Sequence, residues 1–165
     1  MRNRFLFSST MKNENPYPRF FLMLAVSFVV MYVVMYLNTY ALDHVYFSLT
    51  RFYMTILMVT PMALIMLGFM RHMYQNKQRN LLIVAGSVVV FVAALTMVRS
   101  QTFVDDSRWM KAMIPHHSIA ILTSERANIH DPEVRKLADN IIETQKREIG
   151  EMQQMLQRLK QEKAQ

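Results

Sequence analysis

The sequence predicts an all-α membrane protein, three transmembrane helices followed by an extracytoplasmic antiparallel helical hairpin. Three observations predict it. Hydrophobic residues make up 52% of the 165-residue chain and charged residues only 19%, a balance unlike that of an ordinary soluble domain. The apolar residues gather in three runs, 20–42, 52–70 and 81–98, each long enough to cross about 30 Å of hydrocarbon as a helix rising about 1.5 Å per residue. Beyond the third run the composition turns polar, and a helical period appears twice on either side of Asp131-Pro132-Glu133.

Residues 1–18, with Pro16 and Pro18 and no apolar period, read as a loose cytoplasmic tail. The first apolar run is too long for a signal peptide and no small-x-small pattern precedes Asp43, so it reads as an uncleaved anchor. Orientation follows from the cations. Arg2, Arg4, Lys12 and Arg19 precede the first span and Arg71, Lys77 and Arg79 follow the second, against Arg51, Arg99 and Arg108 on the other side. Basic flanks stay inside, so the N-terminus is expected in the cytoplasm and the C-terminal segment outside, in a multi-pass protein of a bacterial inner membrane. The membrane region is then 19–98 and the outer domain 99–165.

The net charge of +7 does not point to nucleic acid. Residues 1–98 hold eight Lys or Arg against Glu14 and Asp43, and residues 99–165 hold eleven against ten acids. The excess flanks the apolar runs and reports topology, whereas a nucleic-acid surface would concentrate it on a folded face.

In the outer segment, Asp105 or Asp106 caps a helix to about Asn128, with Pro115 inside it and a kink expected there. Asp131 caps a second helix from Pro132 to about Gln161, with a proline at its first position and Glu133 near its positive end. Its apolar stripe is expected at Val134, Leu137, Ala138, Ile141, Met152, Met155, Leu156 and Leu159.

The first hairpin helix carries Trp109-Met110-Lys111-Ala112-Met113-Ile114-Pro115-His116-His117. At about 100° per residue, Met110, Met113 and His117 share an arc of roughly 60°, and His116 lies about 60° beyond Met113. On the second helix, Gln145, Glu148, Met152 and Met155 share an arc of about 80°. Thioethers with imidazoles form a soft to borderline donor set that favours Cu(I) and suits Mg or Ca poorly. The chain has sixteen methionines and no cysteine, so any soft ligand is Met. The same residues also have plainer readings. Methionines three apart are adaptable packing residues, and Glu148 at the rim of the seam reaches water. On the second span Met54, Met58, Met62, Met66 and Met70 recur every fourth residue. That spacing drifts about 40° per step and winds around the helix, which favours packing or lipid contact over a conduit.

Enzyme signatures are missing: there is no Gly-rich phosphate loop, nucleophile elbow, His-Glu-x-x-His or Cys nucleophile. The hairpin also lacks the Glu-x-x-His pair of a di-iron bundle.

Met113-Ile114-Pro115-His116-His117, Ala120-Ile121, Asp131-Pro132-Glu133-Val134, Leu137-Ala138, Ile141-Ile142, Gln145, Glu148-Ile149 and Met152 together resemble the domain of unknown function 305 family, over about residues 103–159. The resemblance implies a ferritin-like half bundle. It further implies copper binding or copper tolerance outside the cytoplasm through Met110, Met113, His116, His117 and Met152, with Gln145 and Glu148 as ligands or as groups that orient them. Thr123 departs from the pattern where many members have Met. Members often repeat the helical unit, so homodimerisation is the natural expectation for a single hairpin. The sequence thus predicts a non-catalytic, membrane-anchored copper-binding protein with metal ligands at Met110, Met113, His116, His117, Glu148, Met152 and Met155. The alternative is a structural or interaction protein whose hairpin only packs.

Overall fold

The computed structural model describes residues 15–162, so residues 1–14 of the expected cytoplasmic tail lie outside the described residues. Five α-helices follow one another: α1 (Tyr17–Val34), α2 (Leu49–Phe69), α3 (Lys77–Ser100), α4 (Asp106–Arg126) and α5 (Pro132–Glu162), with a 3₁₀ turn at Leu42–His44 between the first two. Helices α1, α2 and α3 are long and apolar enough to cross a membrane. Their apolar side chains face outward in large number, including Val26, Val29 and Val33 on α1 and Leu82, Val89 and Val92 on α3. In water such a surface would be far larger than a stable monomer exposes, whereas lipid solvates it.

Helix α2 is the centre of the three, since α1 and α3 each pack along it, while α1 meets α3 at one end, where the Tyr17 hydroxyl donates to Asn80 Oδ1 at 2.8 Å. At one end the packing is aromatic: Phe20 and Tyr74 are fully or almost fully buried with their rings 5.3 Å apart, and Met66 and Met70 lie against this cluster. Met54 and Met58, further along α2, are exposed. The four-residue methionine series therefore winds from the outer surface into the core, as its spacing predicts.

The first helix ends at Val34, well short of the apolar run that suggested residue 42. The cause is a polar lock in the following loop. The Tyr36 hydroxyl donates to the Tyr46 carbonyl (2.8 Å) and accepts from the Ser48 amide (3.1 Å), while Thr39 Oγ1 donates to the Tyr36 carbonyl. These bonds satisfy the backbone outside a helix, which apolar content alone does not reveal.

The hairpin forms as its caps predict. Asp105 Oδ1 accepts from the Arg108 amide (2.8 Å) at the head of α4, and Asp131 Oδ1 accepts from the Val134 amide (2.9 Å) at the head of α5. Helix α4 continues through Pro115, which is buried. The hairpin docks on the loop before α2 through Ser118, which is fully buried. Its Oγ accepts from the Tyr40 amide at 2.7 Å and meets His44 Nδ1 at 3.0 Å.

Candidate functional site

Helices α4 and α5 pack along a seam with alternating steps of three and four residues. On α5 the seam runs through Ala138, Ile142, Gln145, Ile149, Met152, Leu156 and Leu159, and on α4 through Met110, Ile114, His117 and Ile121. This is the spacing of knobs-into-holes packing. It differs from the expected stripe at several positions. Val134, Leu137 and Met155 are exposed, at 51%, 60% and 45%, and Ile142 and Ile149 replace Ile141 in the buried row. Because α5 is almost entirely flanked by polar residues on its outer face, a stripe drawn too wide takes in positions that the single facing helix does not cover.

One layer of this seam is polar. His117 and Gln145 hold core positions between Ile114 and Ile121 on one helix and Ile142 and Ile149 on the other. His117 Nδ1 lies 3.0 Å from the Met113 carbonyl of its own helix, and Nε2 lies 2.9 Å from Glu148 Oε2 across the seam. The carbonyl only accepts, so Nδ1 carries a hydrogen and the ring orientation is set. Nε2 and Glu148 Oε2 stand at hydrogen-bond distance across the seam. Gln145, one turn from Glu148, has its Oε1 buried without a hydrogen-bond partner. Burying an amide oxygen in this way costs about 1–3 kcal/mol, and the seam offers nothing among the described residues to offset it.

The structure divides the seven expected ligands into three groups. His117 and Glu148 are paired, and Glu148 sits at the rim with its side chain 40% exposed. Met110 and Met152 are buried in an aliphatic cluster with Ile114, Ile121 and Ile149, with Met113 packed against it. His116 and Met155 are exposed, Met155 off the seam and His116 on the side of α4 that faces the membrane helices, where it lines a cavity with Met113. The two imidazoles are neighbours in sequence, yet their rings are 6.2 Å apart and serve different surfaces. Among the described residues no group of three or more His, Cys, Asp or Glu comes together to hold an ion. Thr123, where a further methionine was expected, is exposed, with its hydroxyl donating back to the Ile119 and Ala120 carbonyls.

What sequence reasoning missed is the register. Gln145 stands out as the one polar residue in the row 138, 142, 145, 149, 152, 156, 159, a signal visible once the three-four alternation is tested instead of a broad stripe.

A second polar contact closes the hairpin toward its turn. Lys146 Nζ lies 3.0 Å from Glu125 Oε1 and 5.5 Å from the Tyr40 ring centre. The Lys146 hydrogen bond, with a smaller contribution from the Tyr40 hydroxyl, holds the Glu125 carboxyl below its ordinary range, and the same bond raises the Lys146 ammonium. A depressed carboxyl contributes stability above its unfolded pKa and loses it as pH falls through the lower folded value. Glu125→Gln is therefore expected to lower the melting midpoint slightly at about pH 7 and to match the wild type well below about pH 3. Thermal melts of both proteins across that range check this, and an offset independent of pH would refute it.

The family described as Domain of unknown function (DUF305) matches residues 105–165, which comprise α4, the turn and α5. Uncharacterized protein L153 of Acanthamoeba polyphaga mimivirus is 34% identical over 138 residues, covering 82% of this chain and 89% of its own length. The chain belongs to the DUF305 family. A match of 138 residues does not fit inside 105–165, so the similarity to the viral protein extends beyond the DUF305 hairpin into the apolar helices. No solved structure matches the chain.

Proposed function

We propose that the protein is a membrane-anchored metal-binding protein that holds or passes on copper at the polar layer of its DUF305 hairpin, without turnover chemistry. The observation that carries this reading is the buried, partnerless Gln145 Oε1 in the same seam as the His117–Glu148 pair. An amide oxygen, an imidazole nitrogen and a carboxylate oxygen in one layer form a donor set for a borderline ion, and the orphaned oxygen is a vacancy in hydrogen bonding that coordination would fill. Met152 in the seam and Met113, packed against its cluster, would supply the thioethers that favour Cu(I) over harder ions.

The three apolar helices support the anchor, and the cation distribution supports a cytoplasmic N-terminus with the hairpin on the opposite side. Outside the cytoplasm, Met remains a ligand where a thiol would be oxidised. The single hairpin exposes Val134, Leu137 and Met155 on α5, which supports pairing with a second copy.

Coordination needs the imidazole nitrogen and the carboxylate free of protons, so metal binding at this layer is coupled to proton release. Calorimetric titration of the full-length protein with copper, repeated in two buffers of different ionisation enthalpy, is expected to show that release. Affinity is expected to fall as pH falls. Proton release that is unchanged in Glu148→Gln would place the ion elsewhere.

The second reading is a packing hairpin without metal. It is favoured by Met110 and Met152, which are 4% and 7% exposed among isoleucines and behave as ordinary core residues. The two readings separate on copper-dependent stability.

A further inference from the structure

A second site lies at the junction between the hairpin and the membrane helices. A cavity of about 480 Å³ opens where the end of α1, the head of α2 and α4 meet, lined among others by Met35, Thr50, Arg51, Met54, Trp109 and His116. Its thioethers and imidazole invite a second copper site, but Arg51 opposes one. The Arg51 residue is only 7% exposed. Its Nη1 donates to the Met35 carbonyl and its guanidinium lies 4.3 Å from the Tyr36 ring centre, and among the described residues no carboxylate stands beside it. A guanidinium stays charged, and burying it without a counter-charge is costly.

The rest of the cavity has the same sign. Ser48 caps α2 and accepts the Arg51 amide at 3.2 Å, so the cavity contains the positive end of a 21-residue helix together with Arg51. Helix heads with an added guanidinium bind phosphate. Met35, Met54, Trp109 and Ile119 give the cavity an apolar side, with Asn38 and Gln101 as polar neighbours, and the cavity stands at the end of a helix apolar enough to span the membrane. An anion with an apolar body matches both halves.

We propose that this junction cavity binds the phosphate headgroup of an anionic phospholipid, with Arg51 and the head of α2 taking the phosphate and the Met35 and Met54 side admitting the start of an acyl chain. The site is independent of copper at the polar layer. It also explains why Arg51, a lone cation in the first outer connection by the sequence reading, has no carboxylate beside it among the described residues: the lipid supplies its counter-charge and ties the hairpin to the bilayer surface.

Trp109 is the chain's single tryptophan and lines this cavity, so its emission reports occupancy. The experiment titrates full-length protein in neutral detergent micelles with phosphatidylglycerol, with phosphatidylcholine and with inorganic phosphate. A saturable change is expected with phosphatidylglycerol, about tenfold weaker with phosphatidylcholine, and lost in Arg51→Gln. Arg51→Lys, which keeps the buried charge and so guards against misfolding, is expected to bind about three- to tenfold more weakly because it lacks the fork. Arg79→Gln, a cation at the head of α3, is expected to titrate like the wild type. Equal responses to the two lipids, or wild-type titration by both Arg51 variants, would overturn the proposal. A saturable response to inorganic phosphate with none to phosphatidylglycerol would overturn the lipid assignment.

Discussion

Cu(I) at about one hundred times its dissociation constant is expected to stabilise the full-length protein by about 2.7 kcal/mol. The effect arises because the ion binds the folded hairpin and not the unfolded chain, where His117, Gln145 and Glu148 are no longer held in one layer. Thermal unfolding in detergent, monitored at rising free copper, measures it as a concentration-dependent increase in melting temperature. His117→Ala and Glu148→Gln are each expected to remove most of the increase. Met155→Ala is expected to leave it unchanged, because Met155 is exposed and off the seam. A wild-type melting temperature that does not respond to copper favours the packing reading.

Gln145→Leu is expected to have the opposite signature, stabilising the metal-free hairpin by about 1–3 kcal/mol while weakening copper binding. Leucine fits the row of Ile142, Ile149 and Met152 and removes the buried oxygen that lacks a partner. Natural proteins keep such local costs where function needs the polar group. Amide hydrogen exchange in α4 and α5 of the full-length protein isolates the effect from the membrane helices. Slower exchange with lost copper response supports a functional layer, and slower exchange with unchanged copper response would relieve Gln145 of any role in binding.

Much of the architecture is legible in the sequence because it depends on local signals. Asp105, Asp131 and Pro132 set the hairpin ends through capping chemistry, and the helices begin where those residues place them. The three apolar runs mark α1, α2 and α3 by composition alone. The end of α1 is not legible in this way, since it depends on Tyr36 reaching Tyr46 and Ser48, ten and twelve residues further along the chain. The candidate site was legible in part. The wheel places His117 and Glu148 on facing arcs, and they meet at 2.9 Å. The same wheel sets His116 about 60° beyond Met113 as part of one converging set, whereas packing sends His116 toward the apolar helices and Met110 into the core. Spacing gives an angle around one helix, and only the neighbours decide which side of that angle is covered. Arg51 shows the limit most clearly: as a letter it is a minor exception to the charge asymmetry, and its burial beside a cavity is a purely tertiary fact.

The most direct test of the central claim is the metal content of full-length protein isolated from membranes without added metal, measured beside Glu148→Gln. Elemental analysis is expected to find copper at about one ion per chain, or one per two chains if two hairpins share it, and markedly less in the variant. Protein that arrives without copper, or with as much in Glu148→Gln as in the wild type, would contradict copper binding at the His117–Gln145–Glu148 layer.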